Sequence, residues 1–167
     1  MAETLPRIAS VDRTGPTLIA VSWQHGPSDR IDLAGWIGTG GAVLDPLSDS
    51  ALFGTVRVGE YGASVEWGDP DGDLAIDAEH LHRLAIEQRP FGHRDLAAWQ
   101  AKVGMSNQEA AEFLSVSLSS WNAYKAGSAS VPAPVAMVCR AALRDSILLQ
   151  AHYRPRKSGR PRKVNIS

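Results

Sequence analysis

Apolar residues alternate with polar ones over the first half of the chain, whereas beyond Phe91 they recur at three- and four-residue intervals. In "TLIAVSW", Ile19, Val21 and Trp23 fall on one face at period two. "QHGPSD" has turn chemistry and "RIDL" returns with Ile31 and Leu33 together, which predicts a hairpin. The Gly-rich "GWIGTGGAV" leads to "PLSDSALF", where Asp49 is placed to cap one helical turn; "TVRV", "ASVEW" and "DLAI" then predict three more short strands. Asp77 precedes "AEHLHRLAIEQ", whose Leu81, Leu84 and Ala85 share a helical face before Pro90 ends it. Residues 1–89 therefore predict a small α+β domain of short antiparallel strands and one helix.

From Phe91 onward the strand pattern vanishes, and Leu96, Trp99 and Val103 recur at helical spacing before Gly104, placing a domain boundary near Arg89 to Gly92. Ser106 and Glu109 make an S-x-x-E capping box, so a helix begins there, with Ala110, Ala111 and Leu114 as its apolar edge. Ser117 is a candidate cap for the next helix, whose greasy side is Trp121 and Tyr124 with Val116 before it. Two helices joined by a three-residue turn, with the small Ala111 allowing a close crossing, are the helix-turn-helix arrangement. "SASVPAP" reads as a loop with Pro132 or Pro134 at a helix start. "VAMVCRAALRDSILLQAHY" reads as one long helix, with Val135, Val138, Ala142 and Leu149 available for burial. Residues 90–153 thus predict an all-α domain, and 154–167 a polar, basic tail.

Composition places the chain among ordinary globular proteins, at 44% hydrophobic and 21% charged residues. A net charge of −1 conceals an asymmetry: residues 1–90 hold 14 acids against six Arg and no Lys, a balance of −8, and residues 91–167 hold 4 acids against 11 bases, a balance of +7. Only the second half suits a polyanion. Met1 to Ala20 has neither the apolar core of a signal peptide nor the length of a membrane span, which implies a cytoplasmic protein without a membrane partner. The single cysteine, Cys139, has no partner for a disulfide and reads as a buried thiol. No cofactor or metal is expected: "DPDGD", Asp69 to Asp73, has its glycine too early for a calcium loop, and His80 and His82 point away from each other on a helix. No nucleophile elbow, phosphate loop or zinc-protease motif supports an enzyme.

The segment "MSNQEAAEFLSVSLSSWNAYKAG", Met105 to Gly127, resembles the lambda-repressor-like (XRE) helix-turn-helix family over roughly residues 91–150. Met105, Ser106, Ala111, Leu114, Val116, Ser117, Trp121, Tyr124 and Gly127 match its pattern; Asn107 stands for the usual Gln, Ser115 for the turn Gly and Lys125 for the usual Glu. The resemblance implies that residues 117–125 form a recognition helix, that Asn107 touches a phosphate and that the protein pairs as a homodimer on a two-fold DNA site. Leu118, against a thymine methyl, Ser119 and Asn122 are the candidate base readers, with Lys125 reaching a phosphate and Ser117, at the start of the same helix, a further candidate DNA-binding residue. If Ser115 adopts positive φ, the turn is on the order of 1 kcal/mol less stable than with Gly.

The tail "SGRPRK" resembles the AT-hook core, in which Gly159 and Pro161 keep the backbone extended while Arg160, with Arg162 beside it, reaches a narrow A·T minor groove; Ser158 stands where the fuller pattern has Arg. The first half is similar to a small bacterial domain of unknown function with the pattern P-L-x-D-x-x-L-F-x-x-V-x-V, then V-x-W, matched by Pro46, Leu47, Asp49, Leu52, Phe53, Val56, Val58, Val65 and Trp67. Some members of that family carry an appended helix-turn-helix. Together these features predict a DNA-binding transcriptional regulator, not an enzyme, whose acidic N-terminal domain senses a ligand or binds a protein partner. The competing expectation is an antitoxin-like interaction module whose helix-turn-helix reads DNA weakly or not at all.

Overall fold

The computed structural model describes residues 4–157, which divide between two compact units, Met1–Arg89 and Pro90–Ser167. It is a mixed α and β structure with two small antiparallel sheets. Among the described residues, all six strands lie in the first unit and the second is helical.

In the first unit β1 (Ile8–Arg13), β2 (Leu18–Trp23) and β3 (Asp29–Asp32) form one antiparallel sheet in that order. Ile19 opposite Ile31 and Val21 opposite Val11 set its register. Alternation on β2 is clean: Ile19, Val21 and Trp23 are buried between half-exposed neighbours. β1 was not expected, because its apolar residues Ile8 and Val11 are three apart and break the period of two. A register shift between Ile8 and Ser10 absorbs the extra residue, so that Ile8 is buried and Val11 packs against the same core.

The Gly-rich connection holds a short helix, α1 (Ala34–Thr39). Leu33 and Ile37 anchor it in the core at an interval of four, and Asp32 Oδ1 accepts the Ala34 amide at 2.9 Å. Burial thus outweighs the poor helix propensity of glycine. Two 3-10 turns follow, and then α2 (Ser50–Phe53), whose Leu52 amide donates to Asp49 Oδ1 at 2.9 Å. A second antiparallel sheet orders β4 (Arg57–Val58), β5 (Ser64–Glu66) and β6 (Ala75–Asp77). α3 (Ala78–Gln88) starts from Asp77, which accepts the His80 amide at 2.9 Å. Its end is tied down by Arg89, which donates twice to Asp29 at 2.8 Å, while the Trp23 indole N–H donates to the same carboxylate at 2.7 Å. The Arg89 guanidinium holds the Asp29 carboxyl below its usual range.

The second unit contains α4 (His93–Val103), α5 (Asn107–Phe113), α6 (Leu118–Ala126), α7 (Ala133–Arg144) and α8 (Ser146–His152). Leu96, Trp99, Met105, Ala110, Ala111, Trp121, Val135 and Cys139 form its core. Trp99 stacks on Phe113 at 6.0 Å and meets Trp121 edge-on at 6.4 Å, so aromatic rings fill the space between the first three helices.

Two expectations for the last segment need correction. The single long helix is two, because Asp145 leaves helical geometry at φ −122°, ψ 100° and its carboxylate accepts the Ile147 amide at 2.9 Å, capping a new helix. Val138, expected to be buried, is 39% exposed, since Val135, Cys139 and Ala142 take the inward face.

Candidate nucleic-acid interface

α5 and α6 owe their mutual placement to chemistry at five points. Ser106 Oγ accepts the Glu109 amide at 3.2 Å and Glu109 Oε2 accepts the Ser106 amide at 2.7 Å, so the capping box is complete. At the far end Ser115 sits at φ +54°, the left-handed region. Its amide donates to the Glu112 carbonyl at 3.1 Å and the Val116 amide to the Ala111 carbonyl at 3.0 Å, the paired closure by which a left-handed residue stops a helix. Ser117 then caps α6, accepting the Ser120 amide at 3.0 Å. Gly127, at φ +79°, ends α6 in the same way, and a Cβ there would lie 3.2 Å from the His93 ring.

The fifth point is Asn107, the first residue of α5. Its Oδ1 accepts from the Gln100 side-chain amide at 2.9 Å, the Trp121 indole N–H at 3.0 Å and the Lys125 ammonium at 3.2 Å. One oxygen therefore gathers α4, α5 and α6. An amide nitrogen in that place would confront three donors, so the oxygen must face inward and the two N–H groups of Nδ2 are left for an outside acceptor. Nδ2 is thus the donor that could meet a phosphate, held by the Trp121 ring, which is itself fully buried.

On α6 the residues Leu118, Ser119 and Asn122 lie on the solvent side, Leu118 at 40% exposure, and form a short polar and aliphatic stripe. Lys125 is half-buried against Asn107. The Ser117 hydroxyl is engaged in the capping expected of it and donates to Ser120 Oγ at 2.9 Å. Of the eight candidate residues, Asn107 and Lys125 meet directly, Leu118, Ser119 and Asn122 share a face, and Ser117 is the cap. Arg160 and Arg162, with the whole AT-hook-like stretch, lie outside the described residues.

One residue at this site, and a second role of another, escaped the sequence reading. Gln100 is buried and donates to the Met105 carbonyl at 3.0 Å as well as to Asn107; its only signal is a polar residue next to Trp99 on an inward helical face. Glu109 has a second task besides capping. Its Oε1 accepts the Arg156 amide at 2.8 Å and the Tyr153 hydroxyl at 3.2 Å, and Arg156 also pairs with Glu112 at 2.7 Å. The Arg156 and Ser106 amides, with help from the Ser106 and Tyr153 side chains, pull the Glu109 carboxyl down to about 2 against desolvation. Burial pushes the Cys139 thiol up to about 12, which leaves it protonated and unreactive at neutral pH.

Elsewhere, His82 packs edge-on to Trp23 at 5.0 Å and His80 lies near Trp36, so the two histidines serve different rings. Asp69 closes an ordinary turn by accepting the Asp71 amide at 3.0 Å. Among the described residues no group of three His, Cys, Asp or Glu is placed to hold a metal ion, and no helix is long and apolar enough to cross a membrane. The first unit has an open cleft of about 360 Å³ between its N-terminal segment and α3, lined in part by Leu5, Arg7, His25, His82 and Ile86.

No protein-family model matches the chain, and no curated protein matches it. Among solved structures it is similar to the crystal structure of a "Putative DNA Binding Protein" from Nitrosomonas europaea, at 22% identity over 98% of each chain and a TM-score of 0.45.

Proposed function

We propose that residues 90–153 are a lambda-repressor-like helix-turn-helix that binds double-stranded DNA, and that the protein is a transcriptional regulator. In this reading α6 enters a major groove with Leu118, Ser119 and Asn122 towards base edges, and Asn107 Nδ2 grips a phosphate beside it. Two copies engage a two-fold site, and the acidic first unit senses a ligand or binds a partner, its cleft beside α3 being the place for a small molecule. No catalytic step is required.

The observation that carries the reading is Asn107: one oxygen ties down three elements and turns the remaining donors outward from the start of α5. Asn107 is exposed, so those donors are accessible to a phosphate. The test is fluorescence anisotropy with a labelled duplex from the protein's own upstream region and a scrambled duplex. The full chain is expected to prefer the former. Asn107→Ala should weaken binding to both alike, whereas Asn122→Ala should narrow the preference, since a base contact discriminates by about 1–3 kcal/mol.

A second reading is favoured by one specific feature. Leu118, Ser119 and Asn122 offer no cation on the outward face of α6, which suits an antitoxin-like protein contact. Absence of binding to either duplex would overturn the DNA reading in its favour.

A further inference from the structure

Six arginines belong to the first unit. Arg13, Arg57, Arg83 and Arg89 each donate to a carbonyl or a carboxylate, and Arg30 is exposed. Arg7 differs from all of these. It is half-buried, and its guanidinium meets no hydrogen-bond or ion-pair partner among the described residues. Holding a guanidinium partly away from water is unfavourable unless an acceptor is supplied. Arg7 lines the cleft between the N-terminal segment and α3, where a ligand could supply one.

The rest of the cleft has two kinds of wall. The Gln24 amide donates to the Arg7 carbonyl at 2.8 Å, which brings Arg7 and His25 to the same end of the first sheet. From α3 come His82 and Ile86, four residues apart and so on one face. His82 is held in place: its ring meets Trp23 edge-on at 5.0 Å, the Trp23 indole donates to Asp29, and Arg89 clamps Asp29. The acid at this rim, Glu79, is already taken by Arg83 one turn along α3. Leu5, Pro6 and Ile86 add apolar surface, with Leu5 59% and Ile86 39% exposed, and Pro6 keeps Leu5 out of helical backbone.

We propose that this cleft binds a small organic monocarboxylate with an aliphatic body, its carboxylate on Arg7 and its chain against Leu5, Pro6 and Ile86. The inference rests on the reading that the cleft takes a small molecule. A guanidinium is a planar fork matched to two carboxylate oxygens, and His25 and His82 can each donate a ring N–H to the same head group. One unpaired guanidinium balances one negative charge. A second charge would meet a unit of 14 acids against six Arg, so a carboxylate suits the cleft better than a phosphate dianion. The cleft's volume of about 360 Å³ lies near the lower end for small-molecule sites, which sets the ligand at metabolite size. Because Trp23 and Asp29 already fix the His82 wall, binding requires little ordering there.

The test is a titration of the full chain with sodium octanoate, followed by NMR at the Arg7 Nε–H, the His25 and His82 rings and the Leu5 and Ile86 methyls. These signals should shift together and saturate, and hexanoate should bind more weakly by about fourfold for each methylene lost from the cleft. Octanol and octylammonium, which keep the chain without the anion, should bind about tenfold more weakly or worse, and octyl phosphate no more tightly than octanoate. Arg7→Gln should weaken octanoate by a similar factor with little effect on octanol, and Arg7→Lys should recover part of the loss. Ile86→Ser, at an exposed position, should weaken every probe and reduce the gain per methylene. An unchanged amide spectrum away from the cleft is the check that each variant folds. Equal binding of octanoate, octanol and octylammonium, tighter binding of octyl phosphate, or octanoate binding that Arg7→Gln leaves intact overturns the carboxylate assignment while the cleft stands as a small-molecule site. No saturable shift from any of the four probes overturns the small-molecule reading of the cleft, and the assignment with it.

Discussion

Ser115 is the residue at which the turn's sequence and its geometry disagree. It occupies φ +54°, a conformation that glycine adopts freely and that a Cβ disfavours. Ser115→Gly should therefore raise unfolding free energy by about 1 kcal/mol, visible as a higher urea midpoint with unchanged slope. Replacement by Val should lower it, as a branched side chain fits that region worst. The sequence made this position suspect because the family pattern has Gly there. It could not reveal the opposite case, Glu109, whose capping role is written in S-x-x-E while its bonds to Tyr153 and Arg156 span more than forty residues. Its lowered carboxyl fixes a sign: ionised Glu109 stabilises the fold at all pH above about 4.5, and that contribution drains away as pH falls towards about 2. Acid titration followed by tryptophan fluorescence should show the loss in that window, and Glu109→Gln should flatten it.

Among elements, those with a local cause were readable and those made by tertiary contact were not. Asp49, Asp77, Ser106 and Ser117 each precede a helix and each accepts the expected backbone amide. β1 was hidden by its register shift, α1 by its glycines, and the break before α8 by an Asp that reads equally well as an exposed helical residue. The same division applies to the candidate site. Ser117, Leu118, Ser119 and Asn122 could be assigned to one helix, but the inward oxygen of Asn107 depends on Gln100, Trp121 and Lys125 from two other helices. Asn107→Ala would leave the Trp121 indole N–H and the Gln100 amide short of an acceptor, and should destabilise the second unit by about 1–3 kcal/mol in a denaturant melt. Asn107→Gln, with a longer amide, should restore part of this loss.

At the scale of the whole molecule, charge is the property that composition alone disclosed. Residues 1–90 carry −8 and residues 91–167 carry +7, so one chain holds a part that repels DNA and a part that attracts it. Each unit has its own hydrophobic cluster. A chain of residues 90–167 should bind duplex DNA more tightly than the full protein at low salt, and the difference should shrink as added salt shortens the screening length. Anisotropy across a salt series checks this.

The central claim, that α6 and Asn107 face DNA, is tested most directly by an amide NMR titration of the full chain with duplex DNA from its own upstream region. The account predicts that the Leu118, Ser119 and Asn122 backbone resonances and the Asn107 side-chain amide shift together at the lowest DNA ratios. Shifts confined to residues beyond Tyr153 would contradict it, because DNA would then be held by the basic tail and not by the helix-turn-helix.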